Sequence, residues 1–156
     1  MTRRLFVLIA LAFAPVAHSA DFALNAGAIE VVALPPPQHA GLYLYAGGSL
    51  AFVVPHAVLI PSLALEWSPD QLRGGLVLSL AVDFPLGDRL GVDLNLTLIH
   101  DQAGTDFAHA IFFLGAGPGL TIFFGKQAIS PYLSVFYGLN APGWSLVPGI
   151  NFSSVL

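Results

Sequence analysis

Large apolar residues alternate with smaller or polar ones through the centre of this chain. In residues 76–84 and 92–98 every even-numbered position is apolar: Leu76, Leu78, Leu80, Val82, Phe84, Val92, Leu94, Leu96 and Leu98. The odd positions between them include Asp83, Asp93 and Asn95. On a helix, with about 100° between successive residues, Asn95 would lie almost opposite Asp93, whereas a strand sends both to one face. The alternation therefore predicts β-strands with one apolar and one polar face.

The same period of two recurs along most of the chain, so that eight strands are predicted. Besides residues 76–84 and 92–98, the alternating stretches are residues 22–32, 41–54, 59–67, 108–124, 132–140 and 144–156. Glycine, proline and polar residues that favour turns separate them. Pro61, Pro118 and Pro148 fall inside predicted strands. Because proline lacks a backbone donor, we expect these three to mark bulges or strand ends.

Two long uncharged stretches offer a competing interpretation. Residues 41–65 contain no Asp, Glu, Lys or Arg over 25 positions, and residues 107–124 contain none over 18. A hydropathy window would assign each stretch to a spanning helix, so a helical membrane protein is one alternative and an apolar periplasmic sandwich is another. The alternation within these stretches favours an all-β fold, an eight-stranded antiparallel up-and-down transmembrane β-barrel.

The first twenty residues have the plan of a secretory signal peptide. Arg3 and Arg4 precede an apolar run at residues 5–14, and small residues follow at positions 17–20. A spanning helix needs about twenty apolar residues, so this run is too short to be one. We therefore predict a signal peptide at residues 1–20 and a barrel domain at residues 21–156. The exported domain has a net charge of −6, from three basic and nine acidic residues.

Composition narrows the possible partners. Only 9% of the 156 residues are charged, against about a quarter in ordinary soluble chains, which favours a membrane as the surrounding medium. The five Lys and Arg residues are scattered along the sequence, so no nucleic-acid partner is predicted. The chain has no cysteine and no two histidines at the spacing of metal ligands. Neither a metal site nor a cofactor is predicted.

The signal peptide, the strand count and the last strand resemble the small eight-stranded outer-membrane barrels of Gram-negative bacteria, of the OmpA and OmpX type. The chain ends in alternating apolar residues, Ile150, Phe152 and Leu156, similar to the C-terminal assembly signal of that class. It departs from the signal in Ser154 and in Leu156, where the class usually has an aromatic residue. The resemblance implies export to the cell outer membrane, contacts with outer-membrane lipid and lipopolysaccharide, and engagement of the barrel-assembly machinery. It does not identify a surface ligand.

An eight-stranded barrel encloses a lumen that side chains fill. The polar and charged residues assigned to this lumen are Glu66, Asp83, Arg89, Asp93, Asn95, Thr97 and His109. Matched faces across the hairpin between the fourth and fifth strands place Asp83 opposite Asp93. A shared proton, a bound cation or Arg89 reaching in from the rim would relieve the repulsion of these carboxylates. A filled lumen predicts a structural or surface-interaction role, or narrow passage of small solutes.

Aromatic residues flank the apolar band of membrane barrels as girdles. The residues assigned to them are Trp67, Trp144, Phe84 and Phe152. The alternative function is an outer-membrane lipid-modifying enzyme, an acyl hydrolase or transferase acting on lipid A. Its signal is His100 beside Asp101, with Ser134 or Ser145 as the nucleophile. Because adjacent residues on a strand point to opposite faces, no catalytic residue is assigned.

Overall fold

The computed structural model is a closed barrel of eight antiparallel strands, and it describes residues 20–33, 41–103 and 110–156. The strands are β1 (Ala20–Ala33), β2 (Gly41–Val54), β3 (Ala57–Ser68), β4 (Arg73–Pro85), β5 (Leu90–Ala103), β6 (Ile111–Phe124), β7 (Gln127–Gly138) and β8 (Trp144–Val155). Each strand pairs with its neighbours in chain order, and β8 pairs with β1. The predicted eight-stranded antiparallel barrel is confirmed.

The helical alternative is wrong, because every regular element of the described residues is a strand. Within these same residues, no helix has the length and apolar content needed to cross a bilayer. The predicted signal peptide lies almost wholly outside the described residues and stays a prediction.

The two ends of the barrel differ in the length of their connections. We call the end that carries Ala20 and Leu156 the base, and the opposite end the top. At the base, β2 joins β3 and β6 joins β7 through two residues each, at 55–56 and 125–126, and β4 joins β5 through four, at 86–89. The connections at the top run from four residues between β3 and β4 to seven between β1 and β2. Short turns therefore lie beside the chain termini, as in barrels of the outer membrane.

Strand pairing follows a single constant register round the whole barrel. One circuit of paired residues runs, in strand order, through Ala23, Ser49, Ser62, Ser79, Thr97, Gly115, Phe136 and Ser145. Ser145 then pairs with Ala33, so the circuit returns to β1 ten residues above its start at Ala23. This offset is the shear of the barrel, and with eight strands it tilts each strand by about 40° from the axis.

The prolines inside the strands do not mark bulges or strand ends, and that prediction is wrong. Pro61 pairs with Leu80 of β4, Pro118 with Leu94 of β5, and Pro148 with Leu133 of β7. The pairing with the other neighbouring strand is interrupted at each proline and continues beyond it in the same register. A proline lacks one backbone donor, so it interrupts the ladder to one neighbour while the ladder to the other persists.

Glycines make room for aromatic rings across the lumen. A Cβ atom added to Gly115 would lie 2.4 Å from the ring of Phe136, which is the paired residue on β7. Similarly, Cβ atoms on Gly27 and Gly149 would lie 2.4 and 2.5 Å from the rings of Tyr45 and Tyr132. Each large ring therefore lies over a position that only glycine can occupy. The interior is packed by matching rings to glycines on neighbouring strands.

This packing makes Gly115 sensitive to a single methyl group. We expect Gly115→Ala to lower the free energy of unfolding by about 1–3 kcal/mol, because the ring of Phe136 must move. The control is Gly143→Ala in the β7–β8 loop, where an added Cβ meets nothing within 4 Å. Urea unfolding in detergent micelles measures both variants. Equal stability of the two would contradict the packing described for Phe136.

Candidate functional site

The lumen contains three groups of side chains between base and top. Near the base, Asp83 and Asp93 lie among hydroxyl and amide groups, and we call this set the base cluster. Tyr45 and Tyr132 lie near mid-height, and we call them the tyrosine layer. Near the top, Glu66 and Asp101 line a small cavity, which we call the upper chamber. The positions follow from the strands, since every second residue of each strand points inward.

In the base cluster, Asp83 pairs directly with Asp93 across the β4–β5 hairpin, as the matched-face argument predicts. Asp93 accepts hydrogen bonds from the Thr121 hydroxyl, at 3.0 Å, and from the Asn95 amide. The Thr121 hydroxyl also lies 3.0 Å from that of Ser130 on β7. Asp83 is 2% exposed, and its Oδ1 atom has no hydrogen-bond partner among the residues described. Hydrogen bonds therefore stabilise the Asp93 carboxylate, whereas the equally buried Asp83 has an oxygen without a hydrogen-bond partner.

Two glycines allow these carboxylates to lie flat against the neighbouring strands. A Cβ on Gly91 of β5 would lie 2.2 Å from Oδ1 of Asp83, and one on Gly119 of β6 would lie 2.3 Å from Oδ1 of Asp93. Each aspartate thus covers a glycine of the next strand. The acidic pair belongs to the packing of the barrel wall rather than to an open channel.

Arg89 does not belong to the base cluster, so its assignment to the lumen is wrong. It lies in the 86–89 turn, where its side chain is exposed. The ion pair that the described residues do form joins Arg73 and Asp101, at the other end of the barrel. The turn places Arg89 outside the barrel mouth, and Thr121 and Asn95 bind the Asp93 carboxylate instead. Thr97 lies at mid-height, and His109 falls outside the described residues.

The two rings of the tyrosine layer lie against the inner face of the wall. The Tyr45 hydroxyl donates to Oδ1 of Asn151 at 3.2 Å, linking β2 to β8 over Gly27 of β1. Tyr132 stands over Gly149, the residue with which it pairs on β8. Above the layer, Ile29, Tyr43 and Phe136 form part of a buried apolar cluster. Tyr45 and Tyr132 therefore lie on the inner face of the wall, below this cluster.

The upper chamber combines an apolar wall with buried charges. Its volume is about 20 Å³, and Ile29, Ile99 and Val147 contribute to its wall. Glu66 also faces the chamber, is 5% exposed, and has no hydrogen-bond partner for either carboxylate oxygen within the described parts of the chain. A carboxylate buried without partners in an apolar setting is costly.

Asp101 lies beside Glu66 in the same hydrogen-bonded row. Glu66 pairs with Gly75 on one side, and Gly75 pairs with Asp101 on the other. Because Gly75 has no side chain, nothing separates the two carboxyl groups along this row. Arg73 donates from Nε to Oδ2 of Asp101 at 2.8 Å, and Oδ1 of Asp101 is without a partner among the groups described. Two acidic residues thus line the chamber, and Arg73 pairs with one of them from outside the lining.

Sequence reasoning missed this ion pair because the strands were predicted too short. The fourth strand was expected to begin near Leu76 and the fifth to end near Leu98, whereas they extend to Arg73 and Ala103. Continuing the alternation by one or two pairs of residues would have placed Arg73 and Asp101 on the inward face with Asp83 and Asp93. The alternation of the sequence therefore already indicated that Arg73 and Asp101 face inward.

The residues considered for an enzyme do not come together. His100 lies on the outward face of β5, where its ring is 5.0 Å from that of Phe112. Ser134 and Ser145 are buried on the inward face of β7 and β8. The barrel wall separates His100 from both serines, so they form no catalytic dyad. Within the described residues, no group of three His, Cys, Asp or Glu side chains converges on a possible metal position.

The four aromatic residues assigned to girdles all point outward. Trp67 is the next-to-last residue of β3 and Trp144 begins β8, so both lie at the top, whereas Phe84 and Phe152 lie toward the base. Each of the four is at least 42% exposed. Tyr137 joins the top set, with its ring centroid 4.9 Å from that of Trp144. Aromatic rings therefore occur on the outer surface at both ends of the barrel.

Comparison with solved structures identifies the fold. The chain is similar to Neisserial surface protein A, with 12% identity, a TM-score of 0.56, and coverage of 89% of this chain and 100% of the other. It is also similar to the N-terminal β-barrel domain of Pseudomonas aeruginosa OprF, with 17% identity, a TM-score of 0.51, and coverage of 86% and 99%. A de novo designed transmembrane β-barrel matches with 14% identity, a TM-score of 0.53, and coverage of 85% and 94%.

No protein-family model and no curated protein matches the sequence. At identities below one fifth, the structural matches show the fold. The chain has the closed, eight-stranded, all-antiparallel fold of small transmembrane barrels.

The base cluster gives a test of coupling between the two aspartates. We expect Asp83→Asn to raise the free energy of unfolding by up to about 1 kcal/mol, because it removes the repulsion of like charges. The gain should disappear in the Asp93→Asn background. Urea unfolding in detergent of both single variants and the double variant measures the coupling.

Two further variants test the surroundings of this aspartate pair. Thr121→Val removes a donor to Asp93 and should lower the free energy of unfolding by about 1–3 kcal/mol. Arg89→Ala should change the free energy of unfolding by the same small amount whether residue 93 is Asp or Asn, because Arg89 is exposed. A large coupling between Arg89 and Asp93 would contradict the arrangement seen here.

Proposed function

We propose that this protein is a small outer-membrane β-barrel that crosses the membrane with eight strands and has a closed lumen. Its role is structural or surface-interacting, carried by the outer wall and the top rather than by passage of solutes. The observation that carries the proposal is the reversal of the usual burial pattern: large apolar side chains point out, and polar ones point in.

The outward face of every strand is mostly apolar, and Glu30 of β1, which is exposed on this face, is a charged exception. Leu24, Leu44, Leu65, Leu94 and Leu133 are each at least 41% exposed, and Leu65 reaches 67%. A soluble protein rarely exposes so wide and continuous an apolar surface. A bilayer solvates such a surface, and the closed ladder leaves no strand edge unpaired within it.

The separation of the aromatic rings fits the thickness of a bilayer. Trp144 and Phe152 are eight residues apart on β8. At 3.3 Å per residue this is about 26 Å along the strand, or about 20 Å along the axis after tilt. The apolar band of outer-membrane barrels is about 25 Å high. Trp67 and Trp144 would then lie at the outer lipid interface, in contact with lipopolysaccharide.

The filled lumen favours a role other than transport. The tyrosine layer and the apolar cluster above it occupy the interior between the base cluster and the upper chamber. The narrow-passage alternative therefore requires these rings to move. The enzyme alternative is not supported, because His100 and the serines lie on opposite faces of the wall. The barrel-assembly machinery would engage the last strand at Ile150, Phe152 and Leu156.

The outward and inward faces should tolerate charge differently. We expect Leu78→Asp to lower the free energy of unfolding in lipid bilayers by on the order of 1 kcal/mol more than Ser79→Asp, because Leu78 faces lipid and Ser79 faces the lumen. The two sites are adjacent on β4, which controls for position along the strand. Urea titration in lipid vesicles measures the difference. Equal tolerance at the two positions would overturn membrane insertion by this face.

Closure of the lumen can be tested electrically. In planar lipid bilayers the wild-type protein should show no stable single-channel steps. The triple variant Tyr45→Ala, Tyr132→Ala and Phe136→Ala should show them, because it removes the tyrosine layer and a ring of the apolar cluster above it. Leu133→Ala is the matched control, since Leu133 is adjacent to Tyr132 but points outward with 47% exposure. Stable conductance of the wild type would favour the solute-passage alternative.

A further inference from the structure

We propose that the upper chamber is a pH-sensitive lock, which is closed while Glu66 is a neutral carboxylic acid and which admits water and loosens the top of the barrel when Glu66 loses its proton. The proposal goes beyond the barrel's proposed function. It concerns a luminal group that can be tested in detergent, so it does not depend on membrane insertion.

The first support is the environment of the Glu66 carboxyl group. Glu66 is 5% exposed, and neither of its oxygen atoms has a hydrogen-bond partner within the described residues. It lines the chamber together with Ile29, Ile99 and Val147, and the chamber surface is almost wholly apolar. An apolar environment penalises a carboxylate far more than a neutral carboxyl group. The neutral form therefore fits the closed chamber, whereas the charged form requires water.

The second support is that the nearby cation already binds another acid. Arg73 donates from Nε to Oδ2 of Asp101 at 2.8 Å. Glu66 pairs with Gly75, and Gly75 pairs with Asp101, so the two acids are neighbours across β4. Because Arg73 neutralises Asp101, the charges in this part of the lumen balance only when Glu66 is uncharged.

The other groups that the described strands place around Glu66 include no second cation. The titratable or charged side chains nearest to it are Tyr43 and Tyr45 of β2, Arg73 of β4, Asp101 of β5 and Tyr132 of β7. Of these types, only arginine and aspartate are charged near neutral pH. The residues that β1, β6 and β8 contribute to the chamber wall are uncharged: Ile29, Val31, Phe113, Ser145 and Val147.

The size and position of the chamber explain why ionisation of Glu66 would loosen the top. The chamber has a volume of about 20 Å³, which is enough for about one water molecule. A carboxylate has about four acceptor sites to satisfy, so the chamber must widen to hydrate it. Glu66 lies two residues below Ser68, the last residue of β3, which pairs with Arg73 at the start of β4. Widening therefore separates the upper ends of β3, β4 and β5.

Hydrogen–deuterium exchange of the full chain in detergent micelles, between about pH 4 and about pH 9, tests the lock. Glu66→Gln, which keeps the shape of the neutral acid, is measured beside the wild type at each pH, so the intrinsic pH dependence of amide exchange cancels. At the acidic end the two proteins should exchange alike. Above the pH at which Glu66 ionises, the wild type should exchange about tenfold faster at the upper ends of β3, β4 and β5 and equally at the base. Equal exchange at the top over the whole range would overturn the proposal.

Infrared spectroscopy identifies the group that titrates. The C=O stretch of a protonated carboxyl group should be present in the wild type while the chamber is closed, and the difference spectrum against Glu66→Gln assigns it to Glu66. The band should disappear over the same pH range in which exchange at the top rises. A Glu66 carboxyl group that is ionised over the whole range would contradict the lock.

Asp101→Asn keeps the proposal testable if Glu66→Gln does not fold. The variant frees Arg73 to pair with Glu66, so Glu66 should lose its proton at a pH lower by at least about one unit than in the wild type. Asp83→Asn is the matched control, because it removes a buried acid of the base cluster and should leave the titration of Glu66 unchanged. The same titration of Glu66 in Asp101→Asn as in the wild type would overturn the role given to Arg73 and Asp101.

Discussion

Closure of the backbone ladder is the constraint on which the rest of this structure depends. Because β8 pairs with β1, every strand has two neighbours, and one register must hold round the entire circuit. The resulting shear of ten sets the tilt of the strands and decides which side chains meet inside. It places Asp83 opposite Asp93 near the base, and Glu66 in one row with Gly75 and Asp101 near the top.

Within the closed ladder, the sizes of the inward-pointing residues determine how they pack against one another. The rings of Tyr45, Tyr132 and Phe136 each lie over a glycine of another strand, so these large side chains fit against the wall without distorting it. Such packing ties strands that are distant in the sequence, as Tyr45 of β2 does by donating to Asn151 of β8. The packing of the interior therefore adds to stability by joining strands of the wall.

Most of the fold could be predicted from the sequence, because alternation with period two reports directly on a wall with two different sides. The pairing of Asp83 with Asp93 followed from the parity of two clear strands. Other features depended on where strands end, which alternation defines poorly. Arg73 and Asp101 were missed for that reason, and Arg89 was placed inside although its turn carries it outside. The register round the whole circuit, and hence the upper chamber, requires long-range pairing that no local pattern contains.

The prolines of the wall have a consequence for the chain before it folds. Pro61, Pro118, Pro131 and Pro148 lie within β3, β6, β7 and β8, so half of the strands carry an interrupted row of backbone donors. Another extended chain can add only imperfectly to such a strand, because pairing requires that row to be continuous. A sequence this rich in alternating apolar residues is prone to aggregate while it is unfolded. The prolines protect it against intermolecular sheet formation, and the finished barrel tolerates them because the ladder to the other neighbour is intact.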